Sequence, residues 1–146
     1  MTILPQSKYS LAAVLAVMSL FFSVPSYSDI VVIVNAKNSV SSISKSDLNR
    51  IFLGKKSEFG NGQKAIPVNQ YYSSDIRAKF DKQFLRKSPQ QSKAYWSKQL
   101  FTGAGKPPME MPGDLDVLQE VAKNEDMIGY VDSSALNESV KVLTVK

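Results

Sequence analysis

The chain contains no cysteine and no histidine. Without cysteine there can be no disulfide, whatever the redox state of the compartment, and no lipid-modified cysteine of the bacterial lipoprotein type. Without histidine the chain lacks the usual general base and the commonest transition-metal ligand. There is also no basic tract and no repeated pattern of aromatics set among cations, so no nucleic-acid signature is present. Apolar runs are short. The longest, Leu11 to Val24, falls below the roughly 20 residues that a spanning helix needs.

That apolar run follows Lys8 and ends in Pro25 and the small-x-small triplet Ser26-Tyr27-Ser28. The pattern predicts a secretory signal peptide over residues 1–28, with cleavage before Asp29 and no stable membrane span afterwards. Such a leader on a chain without cysteine points to the periplasm, with secretion the second destination. Residues 29–146 keep 17 of the 18 Lys and Arg and all 13 acids, a mildly basic and well-mixed balance. They suffice for one domain, expected over 29–146.

Within that domain, strand and helix signals alternate. Ile30 to Asn35, IVVIVN, reads as a central strand buried on both faces. Ser44 is a helix N-cap with Asp47 three residues on, Ile43 can staple to Leu48, and Leu48, Ile51 and Phe52 form the apolar stripe before Gly54. Gly54 to Lys64 reads as a surface loop with a turn at Asn61-Gly62. Ser88-Pro89-Gln90-Gln91 opens a further helix in which Tyr95, Trp96, Leu100 and Phe101 are expected to supply apolar contacts, and Gly103 stops it. Thr102 to Gly113 reads as an aperiodic loop. Asp114 starts a helix with Leu115, Leu118, Val121 and Ala122 on its apolar side, and Met127 to Val131 and Val140 to Val145 are strands. In the first of these, Gly129 marks a close backbone approach, either to packing or to a ligand. The alternation predicts an α/β domain with helices flanking a largely parallel sheet.

The stretch with the most chemistry is Ile66 to Phe80, IPVNQYYSSDIRAKF. Ala65 to Val68 reads as a buried strand, Asn69 to Ser74 as a polar turn, and Ile76, Phe80 and Phe84 as one face of a helix. Hydroxyls and unpaired amides at such a helix start can hold an anion. Ser73 or Ser74 can also be a plain N-cap. Catalysis is not indicated: Ser73 and Ser74 have no histidine partner, and helix-dipole complementarity accounts for Asp114 and Asp116. No cluster has Ca²⁺-loop or zinc spacing, and no cofactor is expected.

Several motifs together resemble a known family. Asp47 to Phe59, DLNRIFLGKKSEF, is similar to the "IF-x-G-K" segment of periplasmic phosphate-binding proteins, and Met127 to Val131, MIGYV, to their "aIGYV" strand. Tyr95-Trp96 and Phe101 to Pro108 look like a short subgroup of phosphate ABC-transporter substrate-binding proteins. The resemblance covers nearly all of residues 29–146. It implies one lobe of a type II periplasmic-binding-protein fold and a non-catalytic binding domain for phosphate or another small oxyanion. An ABC permease or another envelope protein would then be its partner. It also implies a ligand set. The family's loop serine falls on Ser73, its glycine on Ser74, its threonine on Asp75, its arginine on Asn69 and its acidic residue on Tyr71, while Arg77 could replace the arginine from one turn into the helix. Ser73 alone keeps its identity, and a carboxylate at Asp75 repels an anion aimed at the same amides. The alternative is a lobe without ligand that serves as a protein-interaction or regulatory module, with Tyr71 and Tyr72 as contacts.

Overall fold

The computed structural model describes residues 29–146, so the expected leader lies outside the described residues. Six strands form one sheet: β1 (Ile30–Asn35), β2 (Ser42–Ile43), β3 (Ile66–Gln70), β4 (Met109–Met111), β5 (Met127–Asp132) and β6 (Val140–Val145), in the order β2-β6-β1-β5-β3-β4. β1 is antiparallel to both of its neighbours, β5 and β6, while the other pairings are parallel. Five strands therefore point one way and β1 runs against them, which is the largely parallel α/β sheet expected. Among the described residues no helix is long and apolar enough to cross a membrane.

Four α-helices cover the sheet: α1 (Lys45–Phe52), α2 (Asp75–Phe80), α3 (Pro89–Phe101) and α4 (Asp114–Lys123). Period-two alternation divides the strand side chains between two cores. Val32, Val34, Ile128, Tyr130 and Leu143 face α1 and α2, where Phe52, Phe80 and Phe84 are buried with them. Ile33, Val68, Met127, Val131 and Val140 face α4 through Val117, Leu118 and Val121. At Gly129 the approach is to packing. A β-carbon there would stand 2.8 Å from Val117 Cγ1 and 2.9 Å from Val68 Cγ1.

Local signals set the helix ends. Ser44 accepts from the Asp47 amide and Ser88 forms a complete capping box with Gln91, while the Asp47 carboxylate turns instead to Lys56 at 2.8 Å. Gly54 and Gly103 follow their helices with φ of 71° and 69°, the left-handed geometry that glycine takes without strain.

Three expectations fail. Leu115 is 70% exposed, because Val117 rather than Leu115 shares α4's buried face with Leu118 and Val121. Leu100 and Phe101 are 54% and 94% exposed, because Ser92 and Trp96 are the residues that α3 buries. The aperiodic loop contains strand β4, whose three residues are ordered by pairing with Val68 to Gln70. In addition, α2 does not stop at Phe80. It passes into a π-helical turn, Asp81–Leu85, closed by Arg86 at φ 54°.

Candidate functional site

The carboxyl ends of β3, β4 and β5 lie together at one edge of the sheet, and α2 and α4 both start there. In open parallel sheets this edge is where ligands are held. β3 runs two residues beyond the apolar segment that marks it in the sequence, carrying Asn69 and Gln70 into the interior, each 1% exposed. Their polar groups are met by long-range partners. The Tyr130 hydroxyl donates to Asn69 Oδ1 at 3.0 Å and accepts from the Gln70 amide at 3.2 Å. Gln70 Nε2 donates to Asp114 Oδ1 at 2.6 Å and to the Tyr130 carbonyl at 3.3 Å. The Ser74 hydroxyl donates to Gln70 Oε1 at 2.6 Å and accepts from the Arg77 amide at 3.2 Å.

Tyr130 anchors this network. Its ring stacks on Phe80 at 3.8 Å, nearly parallel, and burial holds its phenol well above the ordinary value, so it remains a donor at any physiological pH. Exchange of Tyr130 for phenylalanine leaves Asn69 Oδ1 and the Gln70 amide without this partner. About 1–3 kcal/mol of stability should be lost, read as a lower urea midpoint at unchanged denaturant slope.

Arg77 is 1% exposed. Its Nε donates to Asp81 Oδ2 at 2.9 Å and its Nη1 to the Gln70 carbonyl at 2.7 Å, with Glu110 Oε1 3.6 Å away. Tyr72 lies against the guanidinium at 4.1 Å. Burial works against the guanidinium charge, but Tyr130, Asp81 and Tyr72 more than offset it and hold the pKa above the ordinary value. Asp81 is completely buried. Its Oδ2 also accepts from the Ser92 hydroxyl at 2.8 Å, and Oδ1 has no partner among the described residues. Burial pushes its carboxyl up from the ordinary value, against the pull of Arg77 and Ser92.

The residues expected at the site thus separate into two layers. Asn69 and Arg77 are internal and Ser74 is half-buried, and Gln70 and Tyr130 link the three. Tyr71, Ser73 and Asp75 form the exposed layer, with Tyr71 45% exposed. Ser74, not Ser73, caps α2, which leaves the Ser73 hydroxyl without a side-chain hydrogen bond among the described residues. The amides of Asp75 and Ile76 likewise donate to no other described residue. Gln70 and Asp114 were not anticipated. The available signal was the polar pair directly after an apolar strand, together with an aspartate opening the helix that returns to the same edge. Lys106, the loop cation, lies elsewhere and lines a groove with Trp96, Pro107 and Ile66 near the start of β3. Among the described residues no group of three or more acids could hold a metal ion.

No family model matches the chain, and no curated protein does. Solved structures do. A Clostridium perfringens protein described as a phosphate ABC transporter substrate-binding protein, solved with bound phosphate, superposes with a TM-score of 0.64 at 19% identity, covering 80% of this chain and 44% of its own. The fold is that of a periplasmic binding protein. PstS from Borrelia burgdorferi gives 0.60 at 12% identity, and an ABC-type phosphate transport receptor from Vibrio cholerae gives 0.54 at 16%. This chain covers 47% and 45% of those two, so it spans less than half the length of the binding proteins it resembles and corresponds to a single lobe.

Proposed function

We propose that the chain is a non-catalytic binding domain of the cell envelope that takes up a small oxyanion, phosphate first, at the turn between β3 and α2. The observation that carries this reading is the exposed layer just described: a free Ser73 hydroxyl beside the undonated amides of Asp75 and Ile76, at the sheet edge where this fold class holds ligands. Arg77 and Asn69 act from below as positioning residues, because their polar groups are engaged inside. The phosphate reported in the C. perfringens neighbour supports the choice of anion. An export leader and an ABC permease as partner belong to the same reading.

Titration calorimetry of the chain with phosphate and with sulfate tests it. Saturable phosphate binding is expected, weakened roughly tenfold by Ser73→Ala through the loss of one charge-assisted hydrogen bond. Asp75→Thr removes a carboxylate from the path of the anion and should tighten binding by a similar factor. Silence with both anions at millimolar concentration, in wild type and Asp75→Thr alike, would sink the reading.

A further inference from the structure

The well-mixed balance of residues 29–146 fails over one stretch. From Lys82 to Lys98 there are five, Lys82, Arg86, Lys87, Lys93 and Lys98, and no acid. The other thirteen Lys and Arg are balanced by the thirteen Asp and Glu, so this stretch carries the whole formal charge of +5. All five side chains reach solvent, Lys87 in part, and none has a carboxylate within ion-pair distance among the described residues. Three of them, Lys82, Arg86 and Lys87, line one open groove with Ala78, Ser88 and Pro89.

The apolar residues at the end of the same helix are equally out of place. Phe101 is 94% exposed and Leu100 54%. Lys98 and Phe101 stand three residues apart, on the side of α3 away from buried Ser92 and Trp96. A nearly naked phenyl ring three residues from Lys98 is costly in water but suits a headgroup boundary, where cations meet phosphates and the ring enters the acyl region.

We infer that the α2–α3 surface docks on an anionic phospholipid bilayer, with the five cations on lipid phosphates and Phe101, backed by Leu100, inserted at the interface. Four of the five cations are lysines. Lysine is a mobile point charge that is depleted at protein interfaces, whereas arginine provides the fixed forks that recognise carboxylates in a partner. The composition therefore favours a diffuse anionic surface over an acidic polypeptide. Docking here turns α3 and the π turn toward the lipid, and it borders the turn that carries Ser73, because the Lys93 ammonium lies 5.1 Å from the centre of the Tyr72 ring.

Flotation of the full chain with vesicles of phosphatidylcholine, alone or mixed with phosphatidylglycerol, tests the inference. Binding should require phosphatidylglycerol and fall steeply with salt. The triple variant Lys82→Gln, Lys87→Gln, Lys98→Gln should lose on the order of a hundredfold in partitioning, at several-fold per lysine. Phe101→Ser, at a position with almost no packing to lose, should lose roughly tenfold. Equal partitioning onto both vesicle types, or the same partitioning in the triple variant and wild type, overturns the assignment. So does binding that responds to the triple variant but not to Phe101→Ser and is competed by polyglutamate, which would make the surface a site for an acidic polypeptide. Should the triple variant fail to fold, salt dependence and Phe101→Ser decide the question.

Discussion

Methionine in place of Arg77 should cost about 3–5 kcal/mol of folding free energy, the scale for removing one partner of a buried ion pair. The loss comes less from the pair itself than from what remains. Asp81 is fully buried, and among the described residues one of its oxygens already has no partner and, without Arg77, only the Ser92 hydroxyl bonds its carboxylate. The Gln70 carbonyl at the end of β3 loses its donor as well. The defect should depend on pH in a defined sense. Burial already raises the Asp81 pKa in the folded protein, and removing the guanidinium raises it further. A carboxyl whose folded pKa lies above its unfolded value binds protons more readily when folded, so its burden appears as pH rises and fades as pH falls toward the ordinary carboxylate range. Urea midpoints for Arg77→Met should therefore lie closer to wild type in mild acid than at neutrality. Asp81→Leu added to Arg77→Met should restore much of the loss. A gap between Arg77→Met and wild type that does not change with pH would place the energetic weight of Arg77 in its contacts with Gln70 and Tyr72 rather than with Asp81.

Gly129→Val is expected to be of similar severity for the opposite reason, too much volume rather than an unmet charge. Even the first carbon would stand 2.8 Å from Val117 Cγ1, 2.9 Å from Val68 Cγ1 and 3.3 Å from Val121 Cγ2. These methyls are themselves buried, so α4 must lift from the sheet or the side chains must leave their rotamers. Overpacking of this kind costs about 1–3 kcal/mol, and the two further methyls of valine take it to the upper end or beyond. Gly129→Ala isolates the first contact. Combined with Val117→Ala it should cost less than the sum of the two single changes, because each removes part of the other's penalty. Thermal denaturation of the four proteins measures the coupling. Strict additivity would mean that α4 does not rest on Gly129 in solution.

Much of this architecture was legible because its signals are local. Ser44 and Ser88 cap helices within three residues of themselves, Gly103 ends one, and IVVIVN can only be a strand with both faces covered. What escaped depends on residues far along the chain. The side chain of Gln70 reads as solvent-seeking, but Asp114, 44 residues on, and the Tyr130 carbonyl, 60 residues on, make it an interior residue. Strand β4 has no pattern of its own beyond the partner it finds in β3. On α3 a near-equal spread of apolar residues around the helix hid which side is covered, whereas α4 has a clear apolar stripe, Val117, Leu118 and Val121, to which Leu115 does not belong. Hydropathy alone points to Phe101 and Leu115 as core, whereas burial assigns the core to Trp96 and Val117. For the site, the turn itself was visible in sequence and the division of labour within it was not. One clue to it was available: Arg77 and Asp81 stand at i and i+4, the spacing of a helical ion pair.

The reversed first strand constrains the order in which the protein can be completed. Asn35 pairs with Val140 and Ile30 with Asp132, so the middle of the sheet joins segments about a hundred residues apart. A ribosome delivers β1 first and β6 last, and until residues 140–145 have emerged β1 has one edge open and no native route to cover it. Non-local pairing of this kind forms slowly relative to local contacts. Until then the chain's most β-prone segment, IVVIVN, waits for partners. Holding that segment apart from its own kind during the wait is a task for whatever meets the chain first.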